Sequence, residues 1–517
     1  MTILLINPPI VKPCESPAGI ARLSGALMTK GIKLSVWDAN LGGILNIING
    51  PAESYDRWTS RAARNRQKHL DSLQNPATYL HPDRYRRAVA DINRLLETAT
   101  PFKTIKMSLS NYLDSDLSPV MSNDLISASR NPEKNPFYPY FKAKLIEIIE
   151  KEQPEYVGIS LNFLSQALST FAMTGLIKRE WPWLKVILGG GLVTSWISRP
   201  AWKDIFRDYV DHMVAGPGEN FLLSLLGNPA DKPESKEFFR PDYTLFPLSK
   251  YIAPGPILPY SASSGCYWNK CAFCPERAER NPYMPVPPDR VAGDLVALVD
   301  KTGPVLIHLL DNAISPALMK TLVKSPPGAP WYGFARFTDH LADQDFCMEL
   351  KRSGCTMLKL GLESGSQAVL DSEHKGINLK TASSALRNLK NAGIYTYVYL
   401  LFGTPSETEA EARMTHDFVV RHSDFIDFLN IAIFNMPVYS PETRQFETKM
   451  MYEGDLSLYT GFRHPGGWNR IPVRQFLDKE FKRHPCIQKI QRRNPPFFTS
   501  NHAPFFLNEG LHNRNEA

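Results

Sequence analysis

No stretch of this 517-residue chain approaches the roughly 18 to 20 uninterrupted apolar residues of a membrane span, and Met1 leads straight into a short strand-like segment, not a secretory leader. The expectation is a cytoplasmic protein with no membrane partner. A charge block is missing too: 59 Lys and Arg against 52 Asp and Glu leave a formal +7 without a dominant basic run, so nucleic acid is not an expected partner. Neither an internal repeat nor a low-complexity tract is present, which excludes a solenoid. With 43% hydrophobic and 21% charged residues the chain is ordinary globular protein, long enough for about three domains. Its seven cysteines, an odd number in so long a chain, argue against a disulfide framework. Three of them fall within nine residues, 266 to 274.

Apolar runs set the organisation. Ile3-Leu4-Leu5-Ile6, stopped by Asn7-Pro8-Pro9, reads as a buried parallel strand. A helical pattern from Gly19 to Lys30 and a strand from Lys33 to Trp37 complete a β-α-β unit. Residues 45–150 break the rhythm with Arg- and Tyr-rich helical patterns such as Asp83 to Thr98, and read as a helical insertion. The alternation resumes at Tyr156 to Ser160, Lys185 to Gly191 and Tyr209 to Ala215, which predicts a doubly wound parallel sheet over residues 1–226. A Pro-rich linker, 227–256, precedes a second β/α series. Its strands are expected at Tyr260 to Ser263, Val305 to Leu310, Gly333 to Arg336, Met357 to Leu362, Tyr395 to Phe402 and Phe428 to Phe434. The expected fold class is therefore α/β: a Rossmann-like domain, a partial (β/α)6 TIM-type barrel over 257–440, and an aromatic, basic extension over 441–517.

The loop Cys266-Tyr267-Trp268-Asn269-Lys270-Cys271-Ala272-Phe273-Cys274 follows a barrel strand directly, at the end where such barrels keep their active sites. Three thiolates leave one metal position open. A structural zinc site would want a fourth Cys or His nearby, and His308, the nearest following histidine, falls inside a predicted strand. Cys14, Cys347, Cys355 and Cys486 stand alone and read as buried small residues.

In these residues the chain resembles the radical S-adenosylmethionine superfamily. The resemblance implies that Cys266, Cys271 and Cys274 hold a 4Fe–4S cluster, although the family usually has three residues between the first two cysteines and this chain has four. It further implies that S-adenosylmethionine chelates the fourth iron and that its reductive cleavage yields a 5′-deoxyadenosyl radical. An external electron donor, such as flavodoxin or ferredoxin, follows as a partner. Phe273 matches the aromatic before the last cysteine. Leu310-Asp311-Asn312 resembles the acidic motif after the second strand, Gly361-Leu362-Glu363-Ser364-Gly365-Ser366 the mid-barrel motif whose Glu contacts the cofactor, and Tyr399 to Pro405 with Glu407-Thr408 a late-strand signature. Asp311, Arg336, Glu363 and Ser364 are thus cofactor-binding candidates. Plainer readings stay open: a helix N-cap for Asp311, a solvated loop carboxylate for Glu363, a barrel salt bridge for Arg336. Tyr267 and Trp268, with Tyr395, Tyr397 and Tyr399 on one strand face, are expected to line the cavity. Tyr267 and Tyr399 are the catalytic candidates.

In the amino-terminal domain the strand ends carry Asn7-Pro8-Pro9, Asp38-Ala39-Asn40, Ser160-Leu161-Asn162 and Gly189-Gly190-Gly191, all expected on one crevice. The glycines allow close backbone approach to a bulky ligand; a domain with small turns and no ligand is the alternative. With Gly158-Ile159-Ser160 and Gly216-Pro217-Gly218-Glu219, the order resembles the cobalamin-binding domain that precedes the barrel in one radical S-adenosylmethionine subclass. That resemblance makes Pro8, Asp38, Asn40, Ser160, Leu161, Asn162, Gly189, Gly190, Gly191, Gly216 and Glu219 cobalamin-binding candidates. The Asp-x-His-x-x-Gly pattern that supplies a cobalt ligand is absent, and His212 does not fit it, so the expected cobalamin has no histidine on its lower face, with Asn162 or a neighbour there.

Together the two modules imply C-methylation of an unactivated carbon in a peptide, protein or small biosynthetic intermediate. Cyclisation, ring contraction or oxidation with the same cofactors is the first alternative, and a noncatalytic iron–sulfur or zinc module is the second. The tail's aromatic and Arg-rich stretches, Tyr459 to Trp468, Arg492 to Phe498 and His502 to Phe506, suit a cap over the barrel or a peptide-receiving surface, or equally rings packed on the barrel's exterior.

Overall fold

The computed structural model describes residues 2–51, 56–100, 103–199, 202–227, 237–450, 453–496 and 503–507. The chain forms two compact units, Met1–Ile257 with Glu453–Ser457, and Leu258–Tyr452 with Leu458–Ala517.

In the first unit, Ile3, Leu4, Leu5 and Ile6 are at most 1% exposed, because a strand covered on both faces is apolar throughout. The strand Thr2–Asn7 lies between Lys33–Asp38 and Tyr156–Ser160, followed by Lys185–Gly189 and His212–Met213, and each neighbouring pair runs parallel. The strand order therefore reverses direction between Thr2–Asn7 and Tyr156–Ser160, the crevice where doubly wound folds take ligands. The region between the second and third strands is helical, as expected, but also carries an antiparallel hairpin, Ile105–Ser108 with Asn111–Asp114, that the sequence reading missed. Within the insertion Trp58 Nε1 donates to the buried carboxylate of Asp91, and His69 Nε2 lies 3.0 Å from its other oxygen.

Part of the expected linker lies outside the described residues, and the rest, 237–256, is a strap on this unit. Asp242 N donates to Ala21 O at 2.8 Å and Ile252 N to Pro13 O at 2.8 Å, while Tyr243 and Tyr251 are buried. Proline stiffens this segment without freeing it from the sheet. The short return segment Glu453–Ser457 is held the same way: the buried Arg199 guanidinium donates to the carbonyls of Asp455, Leu456 (2.7 Å) and Ser457 (2.9 Å).

The second unit is built on a six-stranded sheet in chain order, Ile257–Tyr260, Leu306–Leu309, Trp331–Ala335, Cys355–Glu363, Tyr395–Phe402 and Phe428–Ile433. The pairings from Leu306–Leu309 onward are parallel. Helices return the chain between strands, and several of their starts are capped by side chains. Ser315 caps Pro316–Lys324, and Thr408 with Glu411 forms a capping box on Glu409–Arg421. The extension adds a small antiparallel sheet of Met436–Pro437, Tyr459–Phe462 and Thr448–Met450 and the helices Arg470–Lys479 and Pro485–Gln491. No helix among the described residues is long and apolar enough to cross a membrane.

Candidate functional site

Strand alternation decides what the second unit offers its chemistry. Positions 332 and 334 share one face of their strand, as do 359 and 361, and 397 and 399. At the strand floor the buried Lys359 amine lies 3.1 Å from His308 Nε2 and over the Phe334 ring, and His308 stacks on Tyr332. His308 is thereby engaged away from the cysteines and is not their fourth ligand. Arg336 follows the end of one of these strands and Glu363 is the last residue of another, past a slip in register after Gly361.

The cysteine loop is held by a partner the sequence did not single out, the segment Glu373–Gly376. Ala272 N donates to Glu373 O at 3.0 Å, Trp268 Nε1 to His374 O at 2.9 Å, and Arg336 to the carbonyls of Lys375 and Gly376. Arg336 also stacks on Trp268, its guanidinium carbon 4.2 Å from the ring centroid, and places Nη1 3.9 Å from Cys271 Sγ. A β-carbon on Gly376 would fall 2.0 Å from the Trp268 ring, so that residue must be glycine for the stack to form. Trp268 also borders a recess of about 540 Å³ shared with Lys270, Arg277 and His374.

Cys271 is buried, and Cys266 and Cys274 are partly so. Burial pushes the Cys271 thiol up against the pull of Lys375 and Arg336, and pushes Cys274 up to about 11. A metal bound there would displace these protons, since thiolate is the ligating form. Among the described residues no three His, Cys, Asp or Glu converge on a single ion point, and a cube does not ask for that: each protein sulfur takes its own iron. Three thiols in one loop, a guanidinium against one of them and an aromatic ring stacked on that guanidinium fit such a cluster.

The other candidates differ in how free they are. Glu363 keeps its carboxylate near the site, paired with Lys375 at 2.8 Å. Phe273 lies under the same ammonium, 5.5 Å from ring centroid to Nζ. Tyr267 is half-buried beside Tyr283, its hydroxyl pushed up by burial, and Tyr399 meets Phe334 edge-on at 5.0 Å. Asp311 is no helix cap: it accepts from Ala262 N (3.1 Å) and Ser263 Oγ, tying the first barrel strand to the second, and burial raises its pKa. Ser364 points elsewhere, 3.2 Å from Thr415 Oγ1 on the helix Glu409–Arg421, which suits packing rather than cofactor contact. Of the three tyrosines, Tyr395 stacks on Phe506 and Tyr397 is buried, so Tyr399 is the partly exposed one beside Phe334.

The tail's aromatic motif is a latch. His464 Nδ1 accepts from Gly466 N and Trp468 N, so its Nε2 carries the hydrogen and donates to Thr404 O at 3.0 Å. Trp468 Nε1 donates to Glu407 at 3.0 Å. This part of the extension thus packs on the barrel; Phe497, Phe498 and His502 lie outside the described residues. Burial lifts the Glu407 carboxyl from 4.5 to about 7. The folded protein therefore keeps a proton that the unfolded chain releases, a penalty absent below the unfolded value and growing to about 3 kcal/mol as pH rises past 7. Glu407→Gln is expected to match the native protein in thermal unfolding near pH 5 and to melt higher near pH 8; the same difference at both would contradict it.

In the first unit the crevice candidates divide. Asp38 and Asn40, expected to face a ligand, turn inward: Asp38 accepts from Asn7 Nδ2, Leu41 N and Tyr251 Oη (2.6 Å), and Asn40 accepts from Val11 N. Burial of these groups leaves them bracing the loop ends. Gln166, not foreseen, braces Pro8 through its carbonyl at 2.7 Å. Leu161 is buried, and Glu219 is taken by Arg22. Ser160, Asn162, Gly190, Gly191 and Gly216 stay at least partly exposed. Asn162 Oδ1 accepts from Gly191 N at 2.9 Å, joining two strand-end loops across Gly189 and Gly190. His212 sits within a strand, its ring 5.6 Å from Phe221.

Fold and site together define a class, and comparison agrees: residues 260–419 match the Radical SAM superfamily, so the second unit carries a radical SAM domain and the chain is an enzyme. Among particular proteins, an uncharacterized methyltransferase of Pyrococcus horikoshii is 24% identical over 332 residues, covering 59% of this chain and 71% of the relative. The bacteriochlorophyllide d C-12(1)-methyltransferase of Chlorobaculum tepidum is 29% identical over 97 residues, 19% of this chain and 20% of that one. The radical S-adenosylmethionine methyltransferase TsrM from Kitasatospora setae, solved with tryptophan substrate and an S-adenosylmethionine analogue, shares the fold with a TM-score of 0.56 at 14% identity, over 100% of this chain and 99% of that one. The cobalamin-dependent S-adenosylmethionine radical enzyme OxsB, with aqua-cobalamin bound, shares it at 0.56 and 13%, over 93% and 67%.

Proposed function

We propose that this protein is a cobalamin-dependent radical S-adenosylmethionine methyltransferase that methylates a carbon lacking nucleophilic character. The observation that carries the reading is the Cys266–Cys271–Cys274 loop at the mouth of the β/α unit, clamped by Arg336 and by the Glu373–Gly376 segment. The cluster and S-adenosylmethionine supply radical chemistry that no side chain can perform, and cobalamin supplies the methyl group.

The chain's own residues hold and orient. Cys266, Cys271 and Cys274 would bind the cluster, Trp268 would hold Arg336 against Cys271 by stacking, and Glu363 would offer an acceptor to S-adenosylmethionine. In the first unit Ser160, Asn162, Gly190, Gly191 and Gly216 offer the exposed rim for cobalamin, beside the reversal of strand order. The relatives named as methyltransferases support methyl transfer, and the likeness to TsrM and OxsB supports the pairing of both modules. The electron enters from an external low-potential donor, in keeping with the flavodoxin or ferredoxin type.

The test is anaerobic reconstitution with iron, sulfide and cobalamin, followed by incubation with methyl-deuterated S-adenosylmethionine and candidate substrates. Formation of 5′-deoxyadenosine and S-adenosylhomocysteine with deuterated methyl in the product is expected. Deoxyadenosine without methyl transfer would move the protein to the cyclising or oxidising kind, and neither product would remove the reading. Bound cob(II)alamin is expected to show no nitrogen coupling from a protein ligand in its electron-spin spectrum, because no Asp-x-His-x-x-Gly histidine is available; a protein nitrogen on cobalt would contradict this.

A further inference from the structure

Besides Arg336, the Glu373–Gly376 segment brings a second cation to the cysteine loop. Lys375 is buried, and its ammonium lies 5.5 Å from the ring centroid of Phe273, next to Cys274 in the loop. Its ammonium is cancelled by Glu363 at 2.8 Å, with side-chain exposures of only 8% and 17%. The pair fills the space over Gly361, where a β-carbon would lie 2.4 Å from Glu363 Oε1 and 2.7 Å from Lys375 Nζ. Glu363 is held at φ +67°, a left-handed conformation that a non-glycine residue adopts at a cost. Barrel strand, glycine and strained backbone thus converge on keeping one neutral ion pair beside Cys271.

We propose that the Glu363–Lys375 pair is an electrostatic switch on the redox equilibrium of the cluster: paired, the two charges cancel, and when bound S-adenosylmethionine engages Glu363, the released Lys375 ammonium favours the reduced cluster. This rests on the cluster and cofactor assignment above. The step moves one electron from a low-potential donor protein to the cluster, 2+ core to 1+, with no bond made or broken and no proton transferred. A nearby positive charge favours the more negative, reduced state, and at a site this dry it is weakly screened. Arg336, pinned by two carbonyls and stacked on Trp268, contributes a constant field. The switch makes reduction easier once the cofactor to be cleaved is in place.

The experiment is a redox titration of the reconstituted full-length protein with titanium(III) citrate, read by electron paramagnetic resonance of the reduced cluster, with and without S-adenosylmethionine. Glu363→Gln leaves the ammonium uncancelled, and its midpoint is expected to rise by a tenfold change in the equilibrium, about 59 mV for one electron, before S-adenosylmethionine is added. Addition then moves it less than it moves the native protein. Lys375→Met leaves the carboxylate uncancelled and is expected to shift the midpoint in the opposite direction. Identical midpoints, or shifts in the same direction, in proteins that all show the cluster signal would overturn the switch and leave the cluster standing. No cluster signal in the native protein would overturn the assignment beneath it.

Discussion

Cys271→Ala is expected to give a folded protein that lacks the absorbance of an iron–sulfur cluster and forms no 5′-deoxyadenosine above background. Removing one sulfur from a buried side chain costs about 1 kcal/mol of apolar burial, a small part of the stability of a unit this size. The chemical loss is total by comparison, because the remaining two thiols cannot hold a cube that needs three protein ligands and an open iron. Circular dichroism and thermal unfolding check the fold, and iron and sulfide content with product analysis check the site. Native-like cleavage by this variant would refute the cluster assignment. Arg336→Lys is the graded companion: Lys has one ammonium where Arg336 spans two carbonyls, Cys271 and Trp268. Loss of such a supporting group is expected to lower cluster occupancy or turnover by about 10- to 100-fold.

The second large effect is expected in the other unit. Gly190 has φ +110° and ψ 174°, a region essentially closed to residues with a β-carbon, and such a carbon would lie 2.4 Å from Leu161 O and 2.9 Å from Asn162 Oδ1. Gly190→Ala therefore forces apart the two strand-end loops that Asn162 and Gly191 join. Strain and clash together are expected to cost about 3 kcal/mol locally, since both obstructing atoms belong to or brace the backbone. Cobalamin retention after gel filtration, followed by its absorbance, should fall at least tenfold, while the cluster signal persists because its ligands belong to the other unit. Unchanged cobalamin content would remove this loop from the binding site.

Several features were legible in the sequence for local reasons. Parallel strands buried on both faces are apolar runs, so Ile3 to Ile6, Tyr156 to Ser160 and Tyr395 to Phe402 declare themselves without partners. The cysteine loop is equally local, with its three thiols within nine residues. Other residues gave no such signal. Lys375 is an ordinary loop lysine until Arg336 and Trp268 fold its backbone against the cysteines. Asp38 looked like a crevice carboxylate because its bond to Tyr251 spans 213 residues, and no periodicity reports a contact of that range. His464 and Trp468 read equally as a cap, a peptide surface or rings packed on the barrel's exterior until Thr404 and Glu407, some 60 positions earlier, claimed their polar atoms.

By itself the sequence determined the alternation of strands and helices, the division of labour between a doubly wound sheet and a β/α unit, and the three sulfurs, since each is written in residues close along the chain. Only the tertiary structure decided which charges stand beside those sulfurs, which crevice residues are spent on bracing loops, and that the aromatic tail is a latch. Such outcomes depend on burial and on pairing between distant segments, where the cost of leaving a polar group without a partner selects one arrangement from many.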